Sequence, residues 1–349
     1  MAMNYENIAN LVLERLKLPD TEDVSSGHLT MDNWEWPTGV ALYGVWKTYK
    51  KTGDKNILDY LESWYARRFT MEKPHRNVNT VAPMLALTFM YEETKNEEYL
   101  PHILSWAEWV MNEMPRTELG GLQHCTVWNR HYEQLWDDTL FMTVLFLLKA
   151  GLVLGNKEWV EEAGYQFLIH IRYLQDKITG LWYHGWTFDR RHNFAEAFWG
   201  RGNAWAVMSS VEFVEMVGRD SAVARYVLAC LNDQVLALWK LQRENGMFTT
   251  LLDVEETYLE TSCTAGIACG VLKGIRLGYI DEKYRDMGMK AAAAVIERIA
   301  EDGTVQGVSN GTGMGHTLDF YKNISITPTA YGQGIAFLML TELCEGEEG

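Results

Sequence analysis

Apolar residues recur along this chain at the three- and four-residue spacing of helices, and the runs are bounded by Gly, Asn, Asp and Pro where helices stop and start. The pattern predicts helices over roughly 4–18, 34–52, 55–69, 80–93, 97–114, 136–154, 156–175, 198–217, 221–241, 260–278, 281–300 and 329–343. These make about six helical hairpins. Within a hairpin the turn is short: Thr52-Gly53-Asp54, Thr94-Lys95-Asn96, Gly155-Asn156, Gly218-Arg219-Asp220 and Gly278-Tyr279-Ile280-Asp281 all carry residues that stop or cap a helix. Between hairpins the connections are long, over 19–33, 70–79, 115–135, 176–197, 242–259 and 301–328. If consecutive helices are antiparallel, every long connection enters an even-numbered helix at the same end of the molecule. Function is expected there, because long loops on a rigid scaffold carry binding and chemistry.

No Pro/Ser-rich linker or break in composition divides the chain, so residues 1–349 read as a single all-α domain whose size six hairpins closing into a ring would explain. No apolar run approaches the ~20 residues that span a bilayer, and the polar start from Met1 to Asn10 has no secretory character. The expectation is a soluble cytoplasmic protein. The five cysteines, Cys125, Cys230, Cys263, Cys269 and Cys344, have no metal-ligand spacing and read as reduced thiols. No paired histidines argue for zinc and no phosphate-binding glycine loop argues for a nucleotide, so neither metal nor cofactor is expected.

A net charge of −16 disfavours nucleic acid or an anionic membrane as partner. It also means that an anionic small substrate would need a local cationic pocket. The chain has 14 Trp and 17 Tyr, enough to look for aromatic clustering on one face. Trp34, Trp36, Trp128, Trp136, Trp182, Trp186, Trp199 and Trp205 all fall near the predicted loop-bearing end. Indoles stack on the C–H faces of sugars and donate N–H bonds to their hydroxyls, which makes carbohydrate the natural ligand.

Two segments carry the candidate chemistry. In Glu133-Gln134-Leu135-Trp136-Asp137-Asp138-Thr139-Leu140-Phe141-Met142 a polar loop passes into an apolar helix. Adjacent helical residues differ by about 100°, so one aspartate should cap or face outward while the other points into the ring. A carboxyl group among Trp136 and Phe141 would be desolvated, which favours the protonated form a general acid needs. The second segment joins Tyr183-His184-Gly185-Trp186 to Trp199-Gly200-Arg201-Gly202-Asn203-Ala204-Trp205. Arg201 lies one turn before Trp205, and a guanidinium beside an indole suits a sugar carboxylate. The bland alternative for Arg201 is a buried structural ion pair with Glu196 or Glu212. His184, and after it His124, are the histidines best placed by loop position. Trp34-Glu35-Trp36-Pro37 opens helix two, Asn77-Val78-Asn79-Thr80 opens helix four, and the glycine-rich stretch from Gly307 to Gly313 leads toward Tyr331-Gly332-Gln333-Gly334.

Taken together, these motifs resemble the unsaturated rhamnogalacturonyl hydrolases, the family 105 glycoside hydrolases related to the family 88 unsaturated glucuronyl hydrolases. The resemblance covers most of the chain. It implies an (α/α)6 barrel and selects Asp138, followed by Thr-Leu-Phe-Met, as the general acid/base. It also implies that His184, Trp199, Arg201 and Trp205, with His124, bind the substrate, a small acidic oligosaccharide ending in a 4,5-unsaturated uronic acid; Trp36 and Asn77, at the entries to helices two and four, are expected to join them. Relatives often carry an acidic residue before helix four, where this chain has Asn77 and Asn79. The competing readings are an unsaturated β-glucuronyl hydrolase, a sugar 2-epimerase in which His184 and His124 converge on one sugar, and a binding protein in which Asp138 is only a cap.

Overall fold

The computed structural model describes residues 4–18 and 29–346. Of the first long connection, expected over 19–33, residues 19–28 lie outside the described residues. Twelve long helices carry the fold among the described residues: α1 (Tyr5–Lys17), α2 (Trp36–Thr52), α3 (Lys55–Phe69), α5 (Pro83–Thr94), α6 (Leu100–Asn112), α7 (Leu145–Leu154), α8 (Lys157–Leu174), α9 (Gly200–Val217), α10 (Ala222–Leu241), α11 (Thr261–Arg276), α12 (Arg285–Ile296) and α14 (Ala330–Gly346). Two short helical turns, α4 (Val78–Val81) and α13 (Leu318–Lys322), lie in the connections, as do two three-residue strands, β1 (Gln134–Trp136) and β2 (Gly185–Thr187).

The helices form two concentric rings. Inside, α2, α5, α7, α9, α11 and α14 each pack on the next, and α14 closes the circle on α2. Outside, α1 lies on α14, α3 on α2, α6 on α5 and α7, α8 on α7, α10 on α9 and α12 on α11. This is the expected (α/α)6 barrel. The sequence reason is visible in the burial: α3 buries only Ile57, Leu61, Trp64 and Tyr65, one stripe of an amphipathic helix, whereas α9 is buried at every position from Gly200 to Val214. Inner helices approach closely where a side chain is missing. A Cβ on Gly334 would lie 2.7 Å from the Ala41 Cα. At the opposite end the tight turns use the left-handed backbone, as at Gly53 (φ 66°) and Gly155 (φ 68°).

Three expected helices begin differently. The one expected over 80–93 is broken, because Pro83 starts α5 afresh after the α4 turn. The one expected over 281–300 becomes a single tight turn, Glu282–Tyr284, followed by α12. The one expected over 136–154 opens as β1, which pairs antiparallel with β2, then widens into a π-helical turn over Leu140–Val144 before α7. Asp137 and Asp138 therefore precede the helix, and the helical offset between neighbours does not govern where they point.

The two ends of the barrel differ chemically. The N-termini of the inner helices open onto an aromatic cleft. Their C-terminal halves surround a charged cavity of about 420 Å³ that includes Lys47, Lys149, Glu212 and Lys273. There Glu212 accepts hydrogen bonds from the Tyr43 hydroxyl at 2.7 Å and the Lys273 ammonium at 2.5 Å. The five cysteines are buried thiols. No helix among the described residues is long and apolar enough to cross a membrane.

Candidate active site

The cleft has an inner and an outer chamber. The inner one, about 250 Å³, is lined by Trp36, Trp136, Trp199 and Trp205 with Asn79, His124, Thr126, His131, Asp138, Arg201 and the Gly311-Thr312-Gly313 loop. The outer one, about 430 Å³, shares Trp36, Asn79, Thr126 and Gly311 with it and extends to Glu35, Trp128 and Asn310.

Asp138 sits on the inner wall, its side chain only 16% exposed, with Oδ1 3.2 Å from His124 Nδ1. The same His124 nitrogen is 3.1 Å from Thr139 Oγ1. Neither aspartate faces outward, so the expected division of roles between them does not hold. Asp137 is wholly buried beside Asp138, and neither of its carboxyl oxygens has a hydrogen-bond partner among the described residues. Its Oδ2 occupies the space above Gly202: a Cβ there would lie 1.9 Å from it. Burial first, and then repulsion from Asp138, push the Asp137 carboxyl well above the ordinary carboxylate range. Burial also opposes ionisation of Asp138, but His124, first, and Arg201 outweigh it and hold this carboxyl below its ordinary value. The pair is thus polarised, with a proton held more tightly by Asp137 than by Asp138. A second buried carboxyl does exist in this site, supplied by the neighbouring residue rather than by the segment before α5.

Aromatic stacking fixes the imidazoles. His124 lies flat on Trp136, with centroids 3.9 Å apart and planes at 7°. His131, on the other side of the same loop, is 4.5 Å from that indole and reaches the inner chamber. Its backbone is left-handed (φ 41°), which an imidazole tolerates better than a β-branched side chain does. Burial pushes His131 down to about 4 and His184 down to about 3, so both are neutral at physiological pH. His184 is buried behind Trp136 and Trp199, with Nδ1 2.8 Å from the Tyr321 hydroxyl, and it does not line either chamber. His184 and His124 therefore do not converge on one sugar.

Arg201 is held differently from either sequence reading. Nη1 donates to the Ser309 carbonyl at 3.0 Å and its hydroxyl at 2.5 Å, and Nη2 donates to the Asn310 carbonyl at 2.9 Å and to Thr312 Oγ1 at 2.8 Å. Its acidic neighbour is Glu260, at 3.7 Å, and not Glu196 or Glu212. Glu260 in turn caps α11 through the Cys263 amide at 2.6 Å and accepts from the Ser309 amide at 2.8 Å. The guanidinium is packed between the Trp199 and Tyr331 rings, 4.6 and 4.9 Å away. It pins the 309–312 loop over the cleft and contributes positive charge to the inner chamber; Nε is the nitrogen left without a partner.

Trp36 stacks on Tyr331 at 4.4 Å, and Trp205 packs against Phe141 at 5.0 Å, so both present one edge to the cleft from a fixed position. Asn77 is not part of the cleft. Its side chain caps α4 by accepting from the Asn79 and Thr80 amides at 2.9 and 3.3 Å, and that cap turns Asn79 toward the chambers in its place. Trp34, Trp182 and Trp186 also lie away from the chambers; Trp34 packs among Trp64, Tyr65, Phe69 and Trp106. His131 and the Glu260–Ser309 clamp escaped the sequence reading of the site, and of the two asparagines it names before helix four it expects Asn77, not Asn79, to bind. A histidine a few residues before the aspartate pair was the available signal for His131; the clamp had none. Among the described residues no three His, Cys, Asp or Glu side chains gather as a metal site.

A closed ring of six helical hairpins, with a carboxyl pair, a guanidinium and oriented indoles at the inner helix N-termini, defines an (α/α)6-barrel enzyme of carbohydrate cleavage. Comparison with known proteins agrees. The Glycosyl Hydrolase Family 88 profile matches residues 14–345. Unsaturated rhamnogalacturonyl hydrolase YesR of Bacillus subtilis (strain 168) is 33% identical over 314 residues, 89% of each chain. A possible family 105 member from Salmonella enterica superposes with a TM-score of 0.96 at 43% identity, over 99% of this chain and 96% of that one. An unsaturated glucuronyl hydrolase of Bacillus sp. GL1 shares the fold, with a TM-score of 0.75 at 19% identity over 98% and 95% of the two chains. The chain belongs to the unsaturated rhamnogalacturonyl hydrolase family, glycoside hydrolase family 105, which is structurally related to family 88.

Proposed function

We propose that this glycoside hydrolase removes a 4,5-unsaturated galacturonyl residue from rhamnose in lyase-generated disaccharides, by hydrating the double bond, with Asp138 as acid and base. The observation that carries the reading is the placement of Asp138: a carboxyl on the wall of an aromatic chamber, beside His124 and within the field of Arg201, with no backbone amide for it to cap among the described residues.

The unsaturated ring is a vinyl ether conjugated to a carboxylate. Asp138 delivers its proton to C4, and the positive charge left at C5 is shared with the ring oxygen. Water adds to C5 and returns a proton to the Asp138 carboxylate. The resulting hemiketal opens, the anomeric carbon becomes a hemiacetal, and that collapses to an aldehyde and the free neighbouring sugar. One water is consumed and the carboxyl is restored. This differs from hydrolysis at the anomeric carbon, where two carboxyl groups face each other across the bond.

Asp138 is ionised in the free site, because His124 and Arg201 hold it down against burial. Substrate binding supplies the correction. A uronate entering the chamber excludes water and sets a like charge beside Asp138, and both raise its affinity for a proton. The sign follows: activity needs the protonated acid and is lost as pH rises. The limb in kcat/KM, which reports the free enzyme, should therefore lie at lower pH than the limb in kcat, which reports the complex. Coincident limbs would remove this account of how Asp138 is charged.

The direct test follows the ultraviolet absorbance of the conjugated double bond with unsaturated galacturonyl-rhamnose and, separately, unsaturated glucuronyl disaccharides. Absorbance should fall on the rhamnose compound, and Asp138→Asn should slow the loss by about a thousandfold while still binding the sugar. Loss confined to glucuronyl compounds would replace the substrate assignment. No loss on either, with binding retained, would end the hydration reading.

A further inference from the structure

The two chambers of the cleft differ in charge: the inner one sets a guanidinium beside the Asp138 carboxyl, whereas the outer one has a carboxyl with no cation among its described residues. Arg201 supplies the guanidinium in the wall of the inner one. In the outer one, Glu35 is the only lining residue of acidic or basic type among Trp36, Pro37, Asn79, Val127, Trp128 and their neighbours, with Tyr331 a buried phenol. No lysine, arginine or histidine lines that chamber, and no cation pairs with Glu35 among the described residues. The carboxylate meets only a weak contact from the Trp36 amide, at 3.4 Å, at the start of α2. Trp128 stands on the outer rim with 92% of its surface exposed, an open indole face on a cavity wall.

We infer that the outer chamber selects a leaving sugar without negative charge, Glu35 repelling carboxylate- or sulfate-bearing rings and Trp128 supplying a stacking face for a neutral one. This rests on the reading that the unsaturated uronate occupies the inner chamber, next to Asp138. The substrate would then be oriented by its own charge: its anionic end drawn toward Arg201, its neutral end left beside Glu35. A ring with a second anionic group would bring that charge against an unpaired carboxylate on the lip of a low-dielectric cleft, inside a chain whose net charge is already −16. Removal of surface water by the sugar itself strengthens the repulsion.

The experiment compares kcat/KM for two unsaturated disaccharides that differ only in the leaving sugar, neutral in one and sulfated in the other. The wild-type enzyme should prefer the neutral compound by about tenfold or more, and added salt should narrow the gap. Glu35→Gln should raise the sulfated-to-neutral ratio by about tenfold, Glu35→Lys should raise it further, and Glu35→Asp should preserve it. Trp128→Ala should raise KM for both compounds alike and leave the ratio where it was. Equal wild-type rates on the two compounds, or a ratio unmoved by Glu35→Gln, would overturn the inference while leaving hydration intact. If neither compound loses its absorbance, the underlying hydration reading fails and this inference goes with it.

Discussion

Asp137 and Asp138 show how far environment can separate two identical side chains. Both are removed from bulk water, yet one contacts His124 and the other has no side-chain donor among the described residues. Asp137 therefore carries a stability cost whose sign can be worked out. Its folded-state carboxyl is raised above the unfolded value near 3.8, so the native state holds a proton that the unfolded chain releases, and stability falls as pH climbs beyond that value. Asp137→Asn should stabilise the protein by about 1 kcal/mol or more at neutral pH, with little gain in acid, as read by thermal unfolding across that range. Gly202→Ala should do the reverse. The new methyl group would collide with Asp137 Oδ2, and displacing that carboxyl disturbs the acid beside it. A loss of about 1–3 kcal/mol in denaturant unfolding, with a fall in kcat, is expected.

The elements around the site divide into rigid and tethered parts. Strands β1 and β2 and the wide turn Leu140–Val144 set the aspartates before α7, while the 309–312 loop is tied down by Arg201 and Glu260. The tether makes Arg201 a positioning residue as much as a charge. A lysine there keeps the charge but cannot serve Ser309, Asn310 and Thr312 from one ammonium. Arg201→Lys should raise KM about tenfold with a smaller effect on kcat, and saturating substrate should recover most of the rate. Arg201→Ala removes the cation beside buried Glu260 as well, and should cost about 3 kcal/mol in urea unfolding. A wild-type KM in Arg201→Lys would mean that the loop tether contributes nothing, whereas equal effects of the two variants on KM would mean that the charge does not.

At the scale of the whole molecule, the barrel joins its six inner helices in two polar clusters, one at each end. The cluster away from the cleft sets a limit on acid stability. Burial would raise the Glu212 carboxyl, but Lys273 and Lys47 outweigh it and hold it at about 2, below its ordinary 4.5. A depressed carboxyl stabilises the native state above its unfolded value, and that stability is lost as pH falls toward about 2. Glu212→Gln should cost on the order of 3 kcal/mol at neutral pH and progressively less in acid, as measured by unfolding free energy against pH. Because this cluster lies at the C-terminal halves of the inner helices, kcat of the folded variant should stay close to wild type.

The chain by itself determined what short-range physics can encode. Apolar periodicity separated helices from connections, and the Gly, Asn and Asp turns set the hairpin rhythm that put the long loops at one end. Local motif was enough to mark the aspartate pair, Arg201, Trp199 and Trp205 as candidates, since residue type and nearest neighbours carried the signal. Tertiary structure decided the rest. That Asn77 is spent on a helix cap while Asn79 faces the cleft depends on Pro83 breaking the helix. That Asp138 opens onto the cleft while Asp137 sinks against Gly202 depends on a strand pair joining segments about fifty residues apart. The partners of Arg201 stand 108 and 109 positions away in sequence, and α14 must close on α2 before Trp36 can stack on Tyr331. Periodicity and capping act over a few residues, whereas the direction a buried side chain takes is set by whichever distant surface the closing ring brings against it.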